Sequence, residues 1–220
     1  EEPSDYQLFS TVELTGVDPN GVGLIGYDNT PGKDLGNERL YDQIGGVHAE
    51  TQEDGFPGYG GVFLQSFFAF SPNPPAGIIA NPGASPLFDE IFDPFRPDRG
   101  GVPIGAGEVP EIILRPTTVQ CPGPGTRERH FECAVLVLAN LVGGTMAHEV
   151  AHSLGLADPD GGGFHNPQDG RGHLMDAAPD RSFAERAQLQ GKGPTFFCAE
   201  NYEYLRDILP SAVSDPMVRR

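Results

Sequence analysis

Residues 148–152 read His-Glu-Val-Ala-His. Two histidines four apart lie on one face of a helix that turns once every 3.6 residues, so His148 and His152 can converge on one metal ion. Glu149, between them, can reach a water bound to that ion. Zinc lowers the pKa of such a water towards about 7, and a carboxylate can then take its proton. The activated water would attack a peptide carbonyl, and Glu149 would hand the proton to the leaving amine. The bland alternative is a helix that carries H-E-x-x-H by chance, since the motif alone is only moderately specific. Two neighbours favour the metal. Gly155 stands where a helix would exit sharply, and a turn containing Met175 follows.

The stretch from His148 to Asp158 resembles the metzincin pattern H-E-x-x-H-x-x-G-x-x-H/D. The resemblance implies that Gly155 ends the helix and that Asp158, three residues on, is the third metal ligand, as in the snapalysin-like branch of small secreted bacterial proteases. It also implies that His173-Leu174-Met175-Asp176 is the Met-turn beneath the metal and that residues 182–190 are the helix after it. The likeness covers about residues 131–190. Two points depart from the pattern. His165, in the loop Gly161-Gly162-Gly163-Phe164-His165, offers a nitrogen as the alternative third ligand. Ala177 stands where some metzincins carry a Tyr, so no Tyr role carries over.

The family layout implies an α+β fold, metzincin-like, with a twisted mixed sheet and an active-site helix. Residues 1–220 would be one catalytic domain. Its N-terminal subdomain, 1–155, carries the helix, and an irregular C-terminal subdomain, 156–220, carries the Met-turn. The cleft would run between them, with residues 177–195 as one wall. The expected activity is that of a zinc-dependent endopeptidase with one catalytic zinc and a protein or peptide substrate. Two other readings compete. One is a different zinc hydrolase, with Glu185 as third ligand. The other is a binding module with a structural or vestigial metal, which the intact Glu149 argues against.

Around the motif, the strongest helical signal runs over residues 131–156, apolar nearly all round at 133–138 and therefore expected to be buried there. Gly143-Gly144 mark either a break between two helices or a close backbone approach. Residues 6–14, 22–27 and 111–114 read as strands, and 38–44 as a turn or two of helix. Residues 61–70 fit a buried strand or a short helix. Five prolines make 71–86 a loop. Residues 87–95, 182–190 and 199–209 read as helices. Strands first and a central helix later give an α+β or α/β layered domain.

Thirty-one acidic residues against fourteen basic ones leave a net charge of −17, which disfavours nucleic acid and anionic membranes as partners. No run of about 18 apolar residues free of charge and Gly occurs, so no membrane span is expected. The acidic loop residues Asp158, Asp160, Asp169 and Asp176 admit calcium as a second ion but lack the regular spacing of a calcium loop. Glu1-Glu2-Pro3-Ser4-Asp5 is not a signal peptide. Of Cys121, Cys133 and Cys198, the first two flank a Pro/Gly-rich loop and are the favoured disulfide. One disulfide and one free thiol suit a secreted protein. His48 and His130 have no partner pattern and read as surface or packing residues, whereas His173 reads as a turn or surface histidine, with support of the metal site as the alternative.

Overall fold

The computed structural model describes residues 10–30, 42–48, 58–108, 121–123, 125–156, 165–166, 172–177 and 181–209. The first extended segment makes two strands, β1 (Thr11–Val12) and β2 (Leu14–Thr15). Glu13 divides them. Its N–H donates to the Ile44 carbonyl at 2.8 Å and its carbonyl accepts from the Val62 N–H at 2.9 Å. The same stretch therefore pairs in parallel first with β4 (Gln43–Ile44) and then with β6 (Tyr59–Phe63). β3 (Gly26–Tyr27) and β5 (Gly46–Val47) both pair with β6 antiparallel. The result is a twisted mixed sheet around β6, whose residues from Gly60 to Phe63 are buried.

After β6 the chain tightens into a 3₁₀ segment, Leu64–Phe70, so residues 61–70 are strand and helix in succession. The proline-rich loop follows, and helix α1 (Pro86–Phe92) starts where Ser85 accepts from the Leu87 N–H and Pro86 takes the first helical position. Helix α2 (Arg127–Ser153) is capped by Thr126 and runs for 27 residues, or about 40 Å. Cys121 is bonded to Cys133 in its second turn, with the Cα atoms 5.3 Å apart. Short α3 (Phe183–Arg186), capped by Ser182, and α4 (Ala199–Ile208) complete the order.

Helix α2 lies on the sheet against β3, β4 and β6, and on its other flanks meets α1 and α3. The main core gathers Val62, Phe67, Phe70, Phe88, Val137, Leu141 and Phe183. Phe183 is fully buried, with ring centroids 5.7 Å from Phe70 and 5.4 Å from Phe88. Burying a side chain of this size contributes about 1.5–3 kcal/mol. A smaller cluster of Ala151, Leu156, Met175 and Leu205 sits at the C-terminal end of α2.

Several expectations are corrected. Gly143 and Gly144 neither break α2 nor admit a neighbour, since nothing lies within 4 Å of a Cβ placed on either. The helix is not buried all round at 133–138, because Leu138 is 42% exposed. In the 38–44 segment the described residues Gln43–Ile44 are strand, held by pairing to β1 rather than by helix propensity. His173 does open a turn, its carbonyl accepting from the Asp176 N–H, but it is buried and bridged to Phe196 rather than at the surface. The expected strand at 111–114 and the start of that at 6–14 lie outside the described residues. Helix α2 is also long and apolar enough to cross a membrane, with an 18-residue window of mean hydropathy 1.5 that tolerates its glycines. Here it forms the centre of the fold.

Candidate metal centre

The site is built by how α2 ends. Gly155 adopts φ +92°, a left-handed conformation that costs a residue with a Cβ. Its N–H reaches back to the His152 carbonyl at 2.9 Å, and the Leu156 N–H to the Ala151 carbonyl at 2.9 Å. This pair of bonds is a Schellman motif, and the Leu156–Ala151 contact that accompanies such a motif lies in the smaller core. The reversal brings the Leu156 carbonyl beside the helix, 2.8 Å from His152 Nδ1. The helix-exit role expected of Gly155 thus has a second effect: it aims His152.

His148, one turn earlier, is aimed from outside the helix. Its Nδ1 lies 2.7 Å from the carbonyl of Leu174, in the turn with Met175. Met175 is 1% exposed and packs with Ala151 and Leu156. A carbonyl only accepts, so Nδ1 carries the proton in both rings. In the neutral rings each Nε2 then offers a lone pair, and the two Nε2 atoms are 3.1 Å apart. Two lone pairs facing at that distance repel unless a proton or a metal cation lies between them.

His165 closes the third side. Its ring stacks on that of His148 at 5.1 Å and stands edge-on to His152 at 5.1 Å. One ligand atom from each of His148, His152 and His165 lies within 4.8 Å of the others. Asn166 anchors the backbone next to His165. Its N–H donates to the Met175 carbonyl at 3.0 Å, and its side chain donates to Asn201 at 2.7 Å on α4. His165, the alternative third ligand of the sequence reading, thus brings a ring nitrogen beside those of His148 and His152. Asp158 lies outside the described residues, as do Asp160 and Asp169. Asp176 is buried and Glu185 pairs with Arg181 at 3.0 Å.

Glu149 is 5% exposed and projects toward β3, where Gly26 leaves room for its carboxylate. Arg186 feels its charge. Burial lowers the Arg186 pKa to about 10, aided by Arg181 and opposed by Glu185 and Glu149. His148 is held well below its ordinary pKa, first by burial and then by the neighbouring His152, with the Leu174 carbonyl opposing. Both causes favour the neutral ring, which is the form that ligates a metal.

Sequence reading missed the two aiming carbonyls, of Leu156 and Leu174, because a backbone acceptor leaves no mark in residue type. It also missed Asn166 and Asn201, which pair across 35 residues, and Arg181, whose bond to a backbone carbonyl no residue type announces. Compared with known protein families, characterised proteins and solved structures, the chain matches none.

Proposed function

We propose that this chain is a zinc-dependent endopeptidase whose metal is held by His148, His152 and His165. The observation that carries the reading is the convergence of two imidazole Nε2 atoms, 3.1 Å apart, with both Nδ1 protons tied to carbonyls. A tetrahedral ion with bonds of about 2.0–2.1 Å spaces its nitrogens about 3.3 Å apart, close to what these rings offer. Three neutral imidazoles suit zinc among the common ions, whereas calcium and magnesium take oxygen. Bound there, zinc would supply Lewis acidity, polarising a carbonyl and acidifying water.

The protein supplies the rest. Glu149, on the same turn as His148, is the base that takes a proton from water and returns it to the leaving amine. Buried Met175 packs against Ala151 and Leu156, next to the Leu174 and Leu156 carbonyls that hold the two rings. Three protein ligands leave the fourth position of a tetrahedral ion open, as a hydrolytic site needs and a closed structural site does not.

The test is zinc content by elemental analysis with casein cleavage alongside, on wild type, Glu149→Ala, His152→Ala, Asp158→Ala and His165→Ala. One zinc per chain is expected in wild type, Glu149→Ala and Asp158→Ala, and none in the two His variants. Glu149→Ala should lose about 10²–10⁴-fold in turnover. Loss of zinc with Asp158 and retention with His165 would return the third ligand to the Asp. Zinc without cleavage in wild type would make the chain a metal-containing binding module.

A further inference from the structure

The carbonyl that aims His148 has a second donor. Arg181 Nη1 lies 3.2 Å from the Leu174 oxygen, which already receives His148 Nδ1 at 2.7 Å. The two donors use both lone pairs of one acceptor. Arg181 is 3% exposed, and its Nε bonds Glu185 Oε1 at 3.0 Å, the two side chains being 2% and 11% exposed. A guanidinium at this depth is costly to desolvate, and apolar residues of similar volume often replace a buried ion pair at no loss of stability. Core packing alone therefore does not account for the pair. Among the described residues, the fork meets Glu185 and holds one backbone carbonyl, that of Leu174.

We propose that Arg181 is a positioning residue for the metal centre: it fixes the Leu174 carbonyl so that His148 keeps its Nδ1 bond and presents Nε2 to the ion. Glu185 orients the guanidinium. The proposal rests on the reading of His148 as a metal ligand. Groups that bond the far nitrogen of a ligating histidine change metal affinity about 10–100-fold when removed. Arg181 acts one bond further out, so the lower end of that range is expected.

The experiment measures zinc affinity by competition with a chromophoric chelator on the full chain, together with thermal unfolding and the d–d spectrum of the cobalt-loaded protein. The proteins are wild type, Arg181→Lys, Arg181→Met and the double variant Arg181→Met/Glu185→Met. The double variant replaces the ion pair by apolar volume, so it separates folding from positioning. The expected result is an unfolding temperature near that of wild type, zinc binding about tenfold weaker, and a shifted cobalt band. Arg181→Lys, which can donate to the carbonyl but lacks the planar fork, should fall between. A double variant that binds zinc within twofold of wild type, with an unchanged cobalt spectrum, overturns the positioning role and leaves the metal reading standing. Wild type that binds no zinc overturns both.

Discussion

Glu149 lies against a residue with no side chain. A Cβ placed on Gly26 would stand 2.5 Å from Glu149 Oε1 and 2.5 Å from Thr145 Cγ2. Strand β3 and helix α2 approach this closely only because Gly26 carries no Cβ. The Gly26→Ala variant should therefore push the carboxylate aside while leaving the three imidazoles in place. Zinc content should stay at wild-type level and cleavage should fall by about 10–100-fold, since misplacing a reacting group by an ångström has effects of that order. Peptide cleavage at full rate by Gly26→Ala would mean that this placement of Glu149 is not the one used.

The Schellman turn makes a second prediction. Gly155→Ala must either hold a left-handed φ or unwind the turn. The first costs about 1–2 kcal/mol. For a chain of this size that is an unfolding temperature lower by roughly 2–8 °C. The second moves the Leu156 carbonyl away from His152, so zinc binding should weaken as well. Calorimetry and chelator competition on the same sample check both parts. Lower stability with unchanged zinc affinity would show that the Leu156 carbonyl does not aim the ring.

The third prediction concerns acid. Because the folded His148 holds its pKa well below the ordinary value, the unfolded chain takes a proton on this ring where the folded one does not. Above about pH 6.5 both forms are neutral and stability is full. As pH falls through that value towards the folded pKa, the unfolded state gains protons and stability drops. Urea midpoints of metal-free protein should decline between pH 7 and pH 5. The decline should be shallower in His148→Gln, which keeps a polar group at the site and titrates nothing. An equal slope in the two proteins would place the acid sensitivity elsewhere.

How much of this was legible beforehand depends on how local each signal is. The convergence of His148 and His152 on one face of α2 needs only a spacing of four on a helix, and the two residue types carry it plainly. Gly155 was legible as a helix exit for the same reason. The unbroken course of α2 through Gly143 and Gly144 was not. Two glycines lower helix propensity, but packing on β3, β4 and β6 outweighs them. Gln43–Ile44 reads as helix by its neighbours and is strand because β1 offers a partner from another part of the chain. The third imidazole stood as an alternative, since no spacing rule reaches from a Gly-rich loop back to the helix. What brings His165 in is Asn166, whose anchors at Met175 and Asn201 are tertiary.

The three imidazoles and the two carbonyls that aim His148 and His152 lie between His148 and Leu174. Glu185 and Asn201 steady this stretch from further along the chain, and the sheet contributes Gly26. Closing a loop costs free energy that grows with the logarithm of its length, so gathering these groups demands little of the rest of the molecule. The sheet closes spans of its own in another part of the chain, where Thr11 pairs with Gln43 and Leu14 with Val62, both in parallel. The imidazole cluster and the sheet therefore draw on separate parts of the chain and meet where Gly26 lies against Glu149. A slip in the register of the sheet would displace the glycine that makes room for the carboxylate and leave the bonds that aim the imidazoles untouched.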